Sequence, residues 1–210
     1  IRDYKVTGVQ TCALPISPLK ELIKQFGYIK HNLEIEVETK RAEFNYQLNK
    51  RKVKFERVLH QAHKKLKTGS LSYLFNANPL IIITTPLIYV LIVPLLLLDL
   101  FVSLYQSICF PIYKVKKIKR SDYIVIDRHK LGYLNIIEKI GCMYCGYANG
   151  LLSYVGEIAS MTEQYFCPIK HARRVKNPHD RYWHFIDYGD ANGYMCDLKT
   201  HRDQVKNKHN

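Results

Sequence analysis

Residues 80–98 read LIIITTPLIYVLIVPLLLL, 19 positions without a charge. A helix of that length matches the hydrocarbon thickness of a bilayer. It is also apolar on every side, with no polar face to give to water, which weighs against the competing reading of a buried helix in a soluble protein. The wider segment 79–113 holds 35 residues and a single charge, Asp99. As one straight helix it would measure about 52 Å against a hydrocarbon core of about 30 Å, so it is expected to tilt, break or turn back. Pro86, Pro94 and Asp99 are the candidate breaks. Each proline deletes a backbone hydrogen bond, and the carboxylate needs a partner.

The flanks bear on topology. Lys114, Lys116, Lys117, Lys119 and Arg120 follow the segment directly, and Lys64, Lys65 and Lys67 precede it at a short distance. Basic residues resist translocation, so both sides read as cytoplasmic. A membrane-inserted hairpin returning to the same leaflet is the expected form, with a single bent transmembrane helix as the close competitor.

Before the apolar segment, residues 20–67 contain no proline and one glycine, Gly27. Their apolar residues Leu22, Phe26, Leu33, Val37, Phe44, Leu48, Phe55, Leu59 and Leu66 are spaced alternately by 4 and 7. That 11-residue period is 3.67 per turn, close to the free helix, and predicts one long helix with a nearly straight stripe. A heptad seam would put Glu36 and Lys40 on its core positions and fails. With 13 Lys or Arg against 6 Asp or Glu, the segment reads as a basic amphipathic arm over 17–68. It suits anionic lipid headgroups, a partner protein or self-association; a stripe packed on the rest of the chain is the plainer alternative. Its basic residues are spread around the helix with no recognised motif, which argues against nucleic acid.

Composition sets outer bounds. An apolar fraction of 47% with 24% charged residues excludes a disordered or collagen-like chain, and a mean hydropathy of -0.20 excludes a polytopic membrane protein. The net charge is +14. Six cysteines in 210 residues are too sparse for a disulfide-stapled secreted domain, which favours a reducing, cytoplasm-facing location.

Residues 114–210 read as a small, mostly helical cytoplasmic domain. DYIVID at 122–127 has the alternation of a short strand or extended entry, and helices are expected near 131–140, 151–165 and 191–205. Asn149-Gly150 signals a turn and Asp190 an N-cap for the last helix. Cys142 and Cys145 form a C-x-x-C, and Cys167 and His171 a C-x-x-x-H; together they resemble two half-sites for a tetrahedral zinc ion. A helix over 151–165 would hold them about 21 Å apart, so a bend near Gly156, a chain reversal or a second subunit is needed to close the site. The alternative is reduced cysteines packed as small hydrophobes. A thiol-redox role for Cys142 and Cys145 would want the strand-to-helix junction that this motif lacks. His129, His171, His179, His184 and His201, with Asp180, Asp187 and Asp190, could serve acid–base chemistry, yet no spacing marks them out and no catalytic fingerprint marks an enzyme.

The segments DLFVSLYQSICFPIY (99–113), YIVIDRHKLGYLN (123–135), CMYCGYANGLLSYVGEIASMTEQYFCPIKHARR (142–174) and HFIDYGDANGY (184–194) resemble a family of uncharacterised bacterial membrane-associated proteins, over residues 17–210. The resemblance implies a bacterial inner-membrane location and carries no catalytic residue. Residues 1–16 resemble translated sequencing-adaptor read-through and are set aside from fold reasoning.

The expected fold is therefore mainly α: an arm over 17–68, a membrane-embedded segment over 79–113 and a Cys/His-containing helical domain over 114–210. The expected function is a non-enzymatic, membrane-anchored interaction or scaffold protein. The rival is a membrane-tethered zinc or thiol protein using Cys142, Cys145, Cys167 and His171.

Overall fold

A computed structural model describes residues 18–42, 46–49, 52–55, 67, 69, 75 and 78–206. Residues 1–16 lie outside the described part, as do Phe44, Leu59 and Leu66 of the arm's stripe. The fold is mainly helical, as expected. Its elements are α1 (Pro18–Ala42), the strands β1 (Tyr46–Asn49) and β2 (Lys52–Phe55), α2 (Pro79–Val90), α3 (Ile92–Tyr113), the single turn α4 (Arg120–Tyr123), α5 (Ile136–Phe166) and α6 (Ala191–Val205).

The arm is not one helix to residue 67. It stops at Ala42, and the chain then forms an antiparallel hairpin pairing Tyr46 with Phe55 and Leu48 with Val53. The sequence on both strands fits a period of 2 as well as one of 3.67: Tyr46 and Leu48, then Val53 and Phe55, alternate with polar residues. The stripe on α1 is otherwise as expected, and Leu22, Phe26, Leu33 and Val37 are all exposed.

The apolar segment is one helix with a bend. Asn78 caps it, its side chain accepting from the Leu80 N–H at 2.9 Å, with Pro79 in the first turn where a missing N–H costs nothing. The interruption falls at Leu91, between α2 and α3. Pro94 explains it, because it has no N–H to offer the carbonyl of Val90 four residues earlier. Pro86 sits within α2, where the neighbouring Thr85 hydroxyl donates to the Ile81 carbonyl at 2.7 Å. Asp99 lies inside α3 and breaks nothing.

The hairpin alternative is excluded by how this helix meets α5. The Tyr144 hydroxyl donates to the Ile88 carbonyl, Tyr147 reaches Asp99, Gln106 bonds Tyr154, and Tyr113 stacks on Tyr165. Contacts advance together along both helices, so α3 runs parallel to α5, and Tyr144 reaches beyond it to the end of α2. A reversal near Pro94 would fold residues 88 and 106 back onto the same end of α5.

Helix α5 is continuous through Asn149-Gly150, where a turn was expected. It opens on a capping box: Asn135 accepts from the Glu138 N–H at 3.0 Å, and Glu138 accepts from the Asn135 N–H at 2.8 Å. Gly150 serves packing instead. A Cβ there would lie 2.6 Å from the Tyr123 carbonyl oxygen and 2.9 Å from the Ile124 Cα, and one at Gly146 would lie 3.2 Å from the Val125 carbonyl. Of the short strand or extended entry expected over 122–127, no strand forms: a helical turn ends at Tyr123, and the chain from the extended Ile124 is laid across those glycines. Gly150→Ala is expected to cost about 1–3 kcal/mol, because both obstructing atoms are backbone. Gly156→Ala, with nothing within 4 Å, should be neutral or stabilising by up to about 1 kcal/mol. Denaturant titration of the two variants measures the contrast.

The core is built from Phe110 of α3, Val115, Leu151, Tyr154, Ile158 and Met161 of α5, and Val205 of α6. Gln106, also buried, bridges α3 to the following chain: it donates to the Tyr154 hydroxyl at 2.8 Å and accepts from the Ile118 N–H at 2.8 Å. The C-terminal half of α3 therefore belongs to the core of the C-terminal domain, and packing does not stop at residue 113. Helix α6 forms as the sequence indicates, with Asp190 accepting from the Gly193 N–H at 2.8 Å.

Candidate membrane-binding surface

Among the described residues, Pro79–Tyr113 is the one helix long and apolar enough to cross a membrane, and none of its most apolar 18-residue stretch is buried. Helix α2 is bare on nearly every side: Leu80, Ile81, Ile83, Leu87, Ile88 and Val90 are all at least half exposed. Helix α3 is two-faced. Gln106 and Phe110 turn into the core, while Val93, Leu97, Leu100, Phe101, Leu104 and Ile108 stay more than half exposed. At 100° per residue these six lie on the side opposite Gln106 and Phe110. A helix on the surface of a soluble domain carries polar residues there; this one carries apolar residues for over four turns.

The lone charge of the segment has the partner it needs. Asp99 receives two bonds from the Arg120 guanidinium, Nη2 to Oδ2 at 2.6 Å and Nε to Oδ1 at 3.1 Å. Tyr147 donates to Oδ2 at 2.9 Å and Ser103 to Oδ1 at 3.3 Å. A bidentate guanidinium with two hydroxyls occupies the carboxylate's lone pairs on a side chain only 13% exposed. Burial, and then the bond to Asp99, push the Tyr147 phenol above its ordinary range, so it stays a donor at neutral pH. Arg120 is thus the one member of the basic cluster committed inward. Lys114, Lys116, Lys117 and Lys119 remain exposed beside the end of α3.

The four candidate zinc ligands do not converge within one chain. Cys142 and Cys145 lie inside α5, Cys167 caps its C-terminus, and the helix runs uninterrupted through Gly156. The 22 residues from Cys145 to Cys167 span about 33 Å, far beyond the reach of one ion's ligands. Cys142, Cys145 and Cys167 are free thiols, and His171 stacks on Tyr182. No group of three or more potential ligands occurs among the described residues. Cys142 and Cys145 also sit well past the first turn of α5, not at the helix N-terminus where a thiol-redox motif is placed.

The acid–base candidates are partly gathered. A cavity of about 670 Å³ is lined by His184, His201, Asp187, Asp190, Asp197 and Trp183 among others. Two of its carboxylates are engaged in structure: Lys170 pairs with Asp187 at 2.8 Å, and Asp190 caps α6. Burial pushes the His201 pKa down, holding the ring neutral. His179 instead bonds Glu163 at 2.9 Å, and Asp180 pairs with Lys30 of α1.

No model of a known protein family, no curated protein and no solved structure matches the chain.

Proposed function

We propose that this protein is a membrane-anchored interaction or scaffold protein of the bacterial inner membrane, with its arm and C-terminal domain on the cytoplasmic side. The observation that carries the reading is the unburied apolar surface of α2 and the outer face of α3, followed directly by four exposed lysines. Hydrocarbon removes that surface from water, and anionic headgroups complement the lysines. The exposed stripe of α1 offers a second surface, for lipid or for the helix of a partner.

The test is fractionation of bacteria expressing the full chain. It is expected in the inner-membrane fraction, resistant to carbonate and high salt and released by detergent. Recovery in the soluble fraction removes the reading. A second reading rests on the exposed thiols of Cys145 and Cys167, which two copies of the chain could bring to one metal ion. Stoichiometric zinc in the reduced, purified protein, lost on Cys145→Ser, would replace the scaffold reading with a zinc-binding one.

A further inference from the structure

We infer that α3 lies in the plane of one leaflet, its outer face in hydrocarbon and α5 on the aqueous side, so that the chain enters the bilayer without crossing it. This rests on the membrane reading above and adds an orientation to it.

A perpendicular span over residues 79–98 would have the right length, about 30 Å. It would also place Ile88 near the bilayer midplane. Tyr144 is tied there, through its hydroxyl on the Ile88 carbonyl at 2.9 Å and a ring contact with Tyr89 at 5.3 Å. Helix α5 runs parallel to α3, so its first turns extend from Tyr144 toward the far leaflet. Tyr147, bonded to Asp99 at the near interface, sets the level of α5, so Glu138 and Lys139, nine and eight residues earlier, would lie about 12–14 Å below that interface, close to the midplane and inside the hydrocarbon. The turn Arg128–Lys130, packed on α5, would be drawn in with them. Charges at that depth oppose insertion unless paired or hydrated.

Lying in the plane removes the conflict. Val93, Leu97, Leu100, Leu104 and Ile108 then all face the acyl chains at similar depth, while Gln106, Phe110 and α5 stay on the other side of α3. The exposed Lys114, Lys116, Lys117 and Lys119 come to the headgroup level. The bend at Leu91 lets α2, apolar nearly all round, sink deeper than α3. No charge occurs between Lys67 and Asp99, so the chain leading into α2 can follow it. The occupant of the α3 face is lipid: its apolar surface is continuous with α2, and the cationic border fits an anionic bilayer.

The chain's single tryptophan, Trp183, makes the geometry measurable. On a Trp183→Phe background, Leu97→Trp, Leu104→Trp and Ile108→Trp are each reconstituted as full-length protein into phosphatidylglycerol–phosphatidylcholine vesicles. Quenching by lipids brominated at different acyl positions then reports depth. The in-plane arrangement gives three shallow depths agreeing within about 3 Å. A transverse helix gives depths graded over about 16 Å from Leu97 to Ile108, which overturns the inference and leaves the membrane reading standing. Absence of quenching at all three, with the chain self-associating through this face, overturns both. Reporter fusions to the otherwise unaltered chain at residues 69 and 210 give a second measurement independent of the tryptophan variants. Signals from the same side support the in-plane arrangement and signals from opposite sides overturn it.

Discussion

A chain lacking residues 79–98 is expected to become extractable by high salt or carbonate while keeping its folded C-terminal domain. The deleted stretch contains 14 Leu, Ile or Val residues. At about 0.3–0.6 kcal/mol each for insertion, their loss removes roughly 4–8 kcal/mol, or about 10³–10⁶ in partitioning. What remains, the outer face of α3 and the lysines after it, supports adsorption that salt weakens. The boundary of the deletion matters. Removing residues 79–113 would also take Gln106 and Phe110, both buried against α5, and the product should aggregate. Membrane extraction and far-ultraviolet circular dichroism on the two deletions, side by side, check the prediction. Carbonate resistance of the shorter deletion would mean that the anchor lies elsewhere in the chain.

The parts of this molecule legible in the sequence are those whose cause is local or compositional. The apolar segment needs no partner to be recognised, because nineteen uncharged residues exclude a solvated helix wherever they sit. Helix α6 was legible because Asp190 and the Gly193 N–H it receives are three residues apart. Helix α1 was legible only in part. Leu48 and Phe55 fit a helical stripe and an alternating strand equally well, and the pattern cannot choose between them.

What stayed hidden is what tertiary packing decides. Asn149-Gly150 carries a turn signal, but Gly150 is glycine because the backbone at Tyr123 and Ile124 passes against it. Pro94 marks the bend correctly, yet a single lost hydrogen bond does not say whether a chain bends or reverses. Contact with α5 decides that. The need of Asp99 for a partner was readable; that Arg120 and Tyr147 would supply it was not, since α3 meets α5 only in the fold. The zinc reading failed to close for a related reason. Within one chain its four candidate ligands needed a bend near Gly156 or a chain reversal, and a lone glycine does not tell from sequence whether a helix continues through it, as this one does.

Two phenylalanines on α3 should separate the roles of its faces. Phe101 and Phe110 are nine residues apart, two and a half helical turns, and so point in opposite directions. Phe110 is 1% exposed within the core cluster and makes an edge contact with Tyr105 at 5.8 Å between ring centres; Phe101 is 63% exposed. Phe110→Ala removes a buried aromatic ring and leaves a cavity between α3 and α5, at about 3–5 kcal/mol. In a chain of 210 residues that corresponds to a fall in Tm of roughly 6–20 °C, read in detergent by circular dichroism. Phe101→Ala deletes a side chain that touches little of the protein, so its Tm should hardly move. Its affinity for anionic vesicles should instead fall by about 10- to 100-fold, the equivalent of about 1.5–3 kcal/mol for withdrawing one ring from hydrocarbon. Because the two losses fall on different measurements, a Phe101→Ala variant that unfolds early, or a Phe110→Ala variant as stable as the parent, would show that the faces of α3 have been assigned the wrong way round.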